Sequence, residues 1–188
     1  MKLFRILILL TLVASLARAE EENVTTLKFS DPSQPGRLRV VISNGDLRIR
    51  GADVDAVTIR TTAKRDEGEV TRADGLRVIS TSTQFSAVEE NNVITLEYGQ
   101  LGRGGDADFD LTVPRNTALQ LQSNLGGDID VEELTGDVEI KNMNGEITLR
   151  HLGGGALVET MNGEIDASFL QLPADKPLAF TSMNGEIK

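Results

Sequence analysis

The chain is 188 residues long and acidic, with 29 Asp and Glu side chains against 19 Lys and Arg and a net charge of −10 at pH 7. A surface of that sign repels the phosphates of nucleic acids, so nucleic acid is excluded as a partner. The sequence contains no cysteine, which excludes disulfides, thiol catalysis and cysteine-ligated metal sites.

The amino-terminal end predicts an export signal over residues 1–19. Two basic residues, Lys2 and Arg5, precede an apolar run at 6–16. Ala17-Arg18-Ala19 follows as a small-x-small cleavage site. The apolar run is shorter than the roughly 20 residues that a membrane-spanning helix needs. We therefore predict cleavage after Ala19, an exported chain that is periplasmic or extracellular, and no transmembrane segment once the signal is removed.

Residues 20–117 predict a β-rich amino-terminal part, with strands indicated at 53–61, 75–81 and 93–98. Residues 64–74 are charged and residues 99–105 are rich in glycine, so both are predicted to be loops. A further strand alternates acids with apolar residues. Its acids follow each other about 6.6 Å apart along one face, too far to share one calcium ion, and are predicted to face solvent. These acids are Asp106, Asp108 and Asp110.

Five nine-residue units follow each other from residue 127 to residue 171 without an insertion. Glycine opens each unit, and apolar residues follow two, four and seven places later. A fixed period of this kind is typical of repeat architectures. The first two apolar positions share one face of a strand, whereas the third has the opposite parity, so we expect a bend that turns it inward. The units read GDIDVEELT, GDVEIKNMN, GEITLRHLG, GGALVETMN and GEIDASFLQ.

A longer period of eighteen residues overlies the nine, because alternate units end in Met-Asn. Met143 and Met161 precede the Asn-Gly pairs of two such corners, and Met183 follows after a four-residue insertion at 172–175. We predict an all-β fold in which residues 118–188 form a β-solenoid of about 18 residues per coil, truncated at its carboxyl end. Methionine is expected to fill the corners from inside, and residues 20–117 are expected to supply the first coils and a cap. The alternative is an antiparallel β meander in which Asn-Gly pairs form two-residue hairpin turns.

Three features of the chain resemble one bacterial family. They are the opening stretch LRVVISNGDLRI at residues 38–49, the link FDLTVPRNT at residues 109–117, and the Gly-Asp/Glu-Ile/Val repeats that follow. This pattern is similar to the exported putative-adhesin family, domain of unknown function 4097, over about residues 36–188. The resemblance implies a β-strand repeat protein of adhesin-like kind with further repeats after the last residue. It supplies no established catalytic residues.

The repeated corners carry the candidate binding site. In a stack of coils, the Asn and Glu residues on either side of successive glycines would form one polar stripe, which we predict as a partner-binding surface. The only histidine, His151, lies beside glycines with no nucleophile signature nearby and is predicted to be a surface loop residue. The stripe comprises Asn144, Glu146, Asn162, Glu164, Asn184 and Glu186.

These features together predict an exported, non-enzymatic, adhesin-like binding or structural module of the bacterial cell envelope. No metal or other cofactor is expected. The partner is predicted to be an unknown protein or an envelope glycan, with self-association through the coil ends as a further expectation. One alternative is an envelope-stress sensing module. The other is a β-helix enzyme that acts on polysaccharides, for which the basic residues of the repeats (Lys141, Arg150 and Lys176) are few and out of phase.

Overall fold

The computed structural model describes residues 23–63, 80–81, 85–99 and 106–188. The predicted export signal, the charged loop at 64–74 and all but the first residue of the loop at 99–105 lie outside the described residues. The described residues confirm an all-β fold, and none of them belongs to a helix long and apolar enough to cross a membrane. Their strands are β1 (Asn23–Leu27), β2 (Arg37–Asn44), β3 (Leu47–Ala52), β4 (Val57–Thr61), β5 (Ser80–Thr81), β6 (Phe85–Glu90), β7 (Val93–Tyr98), β8 (Phe109–Pro114), β9 (Ala118–Gly126), β10 (Ile129–Glu132), β11 (Val138–Asn144), β12 (Ile147–Leu152), β13 (Ala156–Asn162), β14 (Ile165–Phe169) and β15 (Leu178–Asn184).

The strands form two mixed sheets. The seven-stranded sheet has the order β1-β4-β8-β3-β10-β12-β14, and the eight-stranded sheet has the order β15-β13-β11-β9-β2-β7-β6-β5. Pairs among β1, β4 and β8 and among β5, β6 and β7 are antiparallel, whereas the remaining pairs are parallel. From β9 to β15 the chain changes sheet at every corner. The repeats therefore stack in parallel register on the strands of residues 20–117 in both sheets.

The register follows the eighteen-residue period read from the sequence. Ile129 pairs with Ile147, which pairs with Ile165, while Val138 pairs with Ala156 in the other sheet. Asn-Gly hairpins are not present at these corners, because β11 and β12 lie in different sheets and β11 pairs in parallel with β13. The meander alternative is therefore wrong for the repeats.

One continuous hydrophobic core lies between the two sheets. Alternate residues of each strand point into it, as the burial pattern of β3, buried at every second residue from Leu47 to Gly51, illustrates. Aromatic rings also pack in the interior. Phe109 contacts Tyr98 edge-on with ring centres 5.3 Å apart, and Phe169 meets Phe180 across the two sheets at 6.3 Å. The core thus runs the length of the stack.

The predicted bend exists at one kind of corner. Leu134 and Leu152, which have the opposite parity to the core residues before them, are fully buried. The residues that precede them, Glu133 and His151, have φ of +59° and +55°. A left-handed residue reverses the direction of the next side chain, and for a residue with a Cβ that conformation costs about 1 kcal/mol or more. Burial of a leucine at each corner offsets that cost.

At the Asn-Gly corners the prediction of inward methionines is wrong. Met143 and Met161 are 40% and 44% exposed. The strands continue their alternation to the end, so that Asn142 and Thr160 take the interior positions instead. The seventh-place residue of the last unit, Leu170, was also expected to point inward and is exposed. There the cause is a shift of register that pairs Phe169, instead of Leu170, with Leu152.

Glycine is required at the Asn-Gly corners by two separate constraints. Gly145 has φ of +112°, a conformation that side chains with a Cβ rarely adopt. A Cβ added to Gly145 would also lie 2.4 Å from the carbonyl oxygen of Gly127, eighteen residues earlier, and one added to Gly163 would lie 2.0 Å from that of Gly145. Successive eighteen-residue repeats therefore touch backbone to backbone at this edge.

Gly145→Ala is expected to destabilise the protein by more than about 2 kcal/mol, since it adds the left-handed strain to a backbone clash. The matched control is Gly153→Ala, where the added Cβ would make ordinary contacts at 3.4 Å or more with Thr135. Urea unfolding of both variants measures the difference. Equal unfolding free energies for the two alanine variants would contradict the backbone contact.

The insertion at 172–175 is held against the stack by an ion pair. The Lys176 Nζ donates to Asp137 Oδ1 at 2.7 Å, and the Gly155 N–H donates to the same oxygen at 2.9 Å. These bonds, the one from Lys176 first, lower the pKa of Asp137 from its ordinary value of 3.8. A carboxylate with a lowered folded pKa adds stability above its unfolded pKa and loses it as pH falls through the folded value.

We expect Asp137→Asn to be less stable than the wild-type protein at pH 7, by up to about 1 kcal/mol because the pair is exposed. The difference is expected to shrink as pH falls from about 4 to 2. Urea unfolding at pH 7 and pH 2.5 provides the measurement. Asp175→Asn, which neutralises an exposed acid within the same insertion, is the control. A difference that stays constant with pH would contradict the role of the ion pair.

Candidate partner-binding edge

The structure brings the six predicted stripe residues to one edge of the molecule. Strands β11, β13 and β15 end there, and the chain passes from the eight-stranded to the seven-stranded sheet. We call this the Asn-Gly edge, formed by residues 143–146, 161–164 and 183–186. Each of these segments has the same sequence, Met-Asn-Gly-Glu. Three identical tetrapeptides therefore lie one above another, separated only by the spacing of neighbouring strands, about 4.8 Å.

The asparagines form a continuous hydrogen-bonded ladder. Asn162 Nδ2 donates to Asn144 Oδ1 at 2.8 Å, and Asn184 Nδ2 donates to Asn162 Oδ1 at 2.9 Å. At the inner end of the ladder, Asn144 Nδ2 donates to the carbonyl oxygen of Leu125 at 2.5 Å. An amide carries two N–H donors and two acceptor sites on its oxygen, so each exposed amide keeps hydrogen-bonding capacity toward solvent. The ladder is both a structural tie and a polar surface.

The glutamates form a parallel carboxylate row with unequal partners. The Thr148 hydroxyl donates to Glu146 Oε1 at 3.1 Å. Lys188 Nζ lies 2.5 Å from Glu164 and 3.5 Å from Glu186, and these carboxylates, Glu164 first, raise the pKa of Lys188. The lysine therefore offsets part of the negative charge at the last two rungs. The charge of Glu146 has no ion-pair partner within the described part of the chain.

A row of exposed apolar side chains runs beside the asparagines, and sequence reasoning missed it. Met143, Met161 and Met183 are 40%, 44% and 71% exposed, and Leu125 continues the row at 61%. We call these four residues the methionine row. Simple counting from Val138 would have found it, because in an unbroken strand a residue five positions later faces the opposite side. The assumption of a bend at every corner concealed that parity.

Polar side chains support the same edge from inside. Asn142 Nδ2 donates to the carbonyl oxygens of Gly127 at 3.1 Å and of Asn144 at 2.9 Å. The Ser182 hydroxyl likewise donates to the Gly163 carbonyl at 2.9 Å. These bonds satisfy carbonyl oxygens left over where the chain turns between sheets. The corner backbone is thus fixed on both of its sides.

The other residues weighed from the sequence do not join this edge. His151 is exposed, and its backbone N–H donates to the Ser168 hydroxyl at 3.3 Å. Asp106, Asp108 and Asp110 face solvent as predicted, with Asp108 Oδ1 accepting from a backbone N–H at 3.1 Å. Across the described ranges, no group of three or more His, Asp or Glu side chains is placed to hold a metal ion.

Comparisons with known proteins give two similar solved structures. A putative cell adhesion protein from Clostridium sporogenes is 10% identical, with 89% of this chain and 98% of that chain covered and a TM-score of 0.40. A putative adhesin from Bacteroides fragilis is 9% identical, with 90% and 97% covered and a TM-score of 0.32. Similarities of this strength carry no argument about this chain. No protein-family model and no curated protein matches it.

Asn162→Ala removes both side-chain bonds of the middle rung and is expected to cost about 1–2 kcal/mol of unfolding free energy. Urea unfolding measures the loss. Glu159→Ala, a truncation of an exposed side chain on the same strand, is the control and is expected to stay within about 0.5 kcal/mol of the wild-type protein. If Asn162→Ala behaves like Glu159→Ala, the ladder makes no contribution to stability.

Proposed function

We propose that the protein is an exported, non-enzymatic β-solenoid that acts as an adhesin-like binding module of the cell envelope. Its binding surface is the Asn-Gly edge. The observation that carries the proposal is the threefold repetition of one tetrapeptide, whose Met and Asn are exposed in every copy, on strands in fixed register. A repeated and rigid surface suits a partner that is itself repetitive, since several weak contacts made together bind more tightly than one.

The chemistry of the edge favours a polar partner. Exposed amides such as that of Asn162 offer donors and acceptors side by side, and the Glu146 carboxylate offers acceptors. Sugar hydroxyl groups both donate and accept hydrogen bonds, so a glycan of the envelope matches this arrangement. We therefore propose an envelope glycan as the partner, and the predicted stripe as its contact surface.

The test is co-sedimentation of the purified protein with isolated cell-wall glycan. We expect binding by the wild-type protein and a loss of about tenfold or more in the double variant Glu146→Gln/Glu164→Gln, since each substitution replaces an accepting carboxylate oxygen with an NH2 donor and a hydrogen bond to a charged group contributes about 1.5–3 kcal/mol. The variant keeps the shape of both side chains, removes their charge and replaces one oxygen of each with an NH2 group.

The control is Glu139→Gln/Glu159→Gln, which removes the same charge from the outer face of the eight-stranded sheet. It is expected to bind like the wild-type protein. Equal weakening of both double variants would mean that net charge governs binding, and no sedimentation of any variant would overturn the proposed partner.

A further inference from the structure

We infer that the methionine row is a binding site for a soft monovalent metal ion, Cu(I), held by thioether sulfurs. The row contains Met143, Met161 and Met183, which are all the methionines of the chain except Met1. Their exposure, between 40% and 71%, removes them from the hydrophobic core in which methionine usually serves as filler. Their concentration at one edge therefore has another physical basis.

The register brings the three Met Cα atoms close enough together for their sulfurs to reach one ion. Residues on both sides of Met143 and Met161 are paired in parallel, Asn142 with Thr160 and Asn144 with Asn162, and the next strand continues the same register. Neighbouring Met Cα atoms therefore lie on adjacent strands, about 4.8 Å apart. Rotation about the Cα–Cβ and Cβ–Cγ bonds of each side chain allows the sulfurs to converge above the middle strand without movement of the backbone.

The backbone beneath the row is rigid, which favours a defined site. The asparagine ladder binds each coil to the next at the residue that follows each methionine. Gly145 and Gly163 bring the coils into direct backbone contact one residue further on. Because the positions of the three Cα atoms are fixed by these contacts, only side-chain freedom is lost when an ion binds.

The ligand type selects the ion. Thioethers are soft donors that select Cu(I), whereas Ca²⁺ and Mg²⁺ take oxygen ligands. The adjacent carboxylates of Glu146 and Glu164 add negative potential that attracts a cation to this edge without being required as ligands. The inference is independent of the proposed glycan partner, because its ligand is an ion and its residues are the methionines.

The experiment titrates the full chain with Ag(I), a probe that shares the softness and charge of Cu(I) and does not change its oxidation state under these conditions. Methyl NMR of the methionine Cε groups reports binding at each residue. We expect the signals of Met143, Met161 and Met183 to shift together with one saturation curve. Unshifted signals at millimolar Ag(I) would overturn the inference.

Two variants separate thioether binding from the alternatives. Met161→Leu keeps the volume and apolar character of the middle side chain, and we expect it to weaken Ag(I) binding by about tenfold or more, in the range typical of a disturbed metal site. Leu125→Ala shortens the apolar row without removing a sulfur, and we expect unchanged affinity. Equal weakening by both variants would mean that binding depends on apolar packing and not on the thioether sulfur. Displacement of Ag(I) by Ca²⁺ would mean that the carboxylates bind the ion. Either result would overturn the inference.

Discussion

The contact between glycine backbones of successive repeats is the constraint on which the other features of the edge depend. At Gly127, Gly145, Gly163 and Gly185 the space that a Cβ would occupy is filled by the carbonyl group of the glycine at the neighbouring corner, which is Gly45, Gly127, Gly145 and Gly163 respectively. This approach fixes the distance and the register between neighbouring corners. The asparagine ladder and the methionine row are consequences, because each glycine holds the two residues before it opposite their counterparts.

The eighteen-residue period predicts that like residues pair, as Ile129, Ile147 and Ile165 do, but it does not by itself exclude the antiparallel meander. The period did not predict which side chains point inward after the second apolar position of each nine-residue unit. That choice depends on a left-handed residue, and among the described residues of the repeats the left-handed residues other than glycine are Glu133 and His151. Histidine is enriched in that conformation and glutamate is not, so the two residue types give no common signal for it. At the Asn-Gly corners no residue of positive φ precedes the methionine, so the strands keep their alternation up to the glycine.

The two faces of the Asn-Gly edge have different chemistry within a few ångströms of each other. Amides and carboxylates lie on one side and thioethers on the other, and buried polar groups such as Asn142 hold the turn in place beneath them. The same four residues, repeated on three strands, thus present hydrogen-bonding groups and soft donors in separate rows. Repetition thus turns a short sequence into an extended surface, and the rigid backbone holds the polar row and the methionine row in separate positions.

The two kinds of corner differ in how much length variation they accept. Between Ala156 and Leu178 the step grows from eighteen residues to twenty-two, yet the parallel pairing of β13 with β15 continues without a shift. The four additional residues form a loop at that corner, and Lys176, just after the loop, forms an ion pair with Asp137. This side of the molecule therefore tolerates inserted sequence, and it is the natural place to graft foreign peptides or epitopes while the opposite edge stays intact.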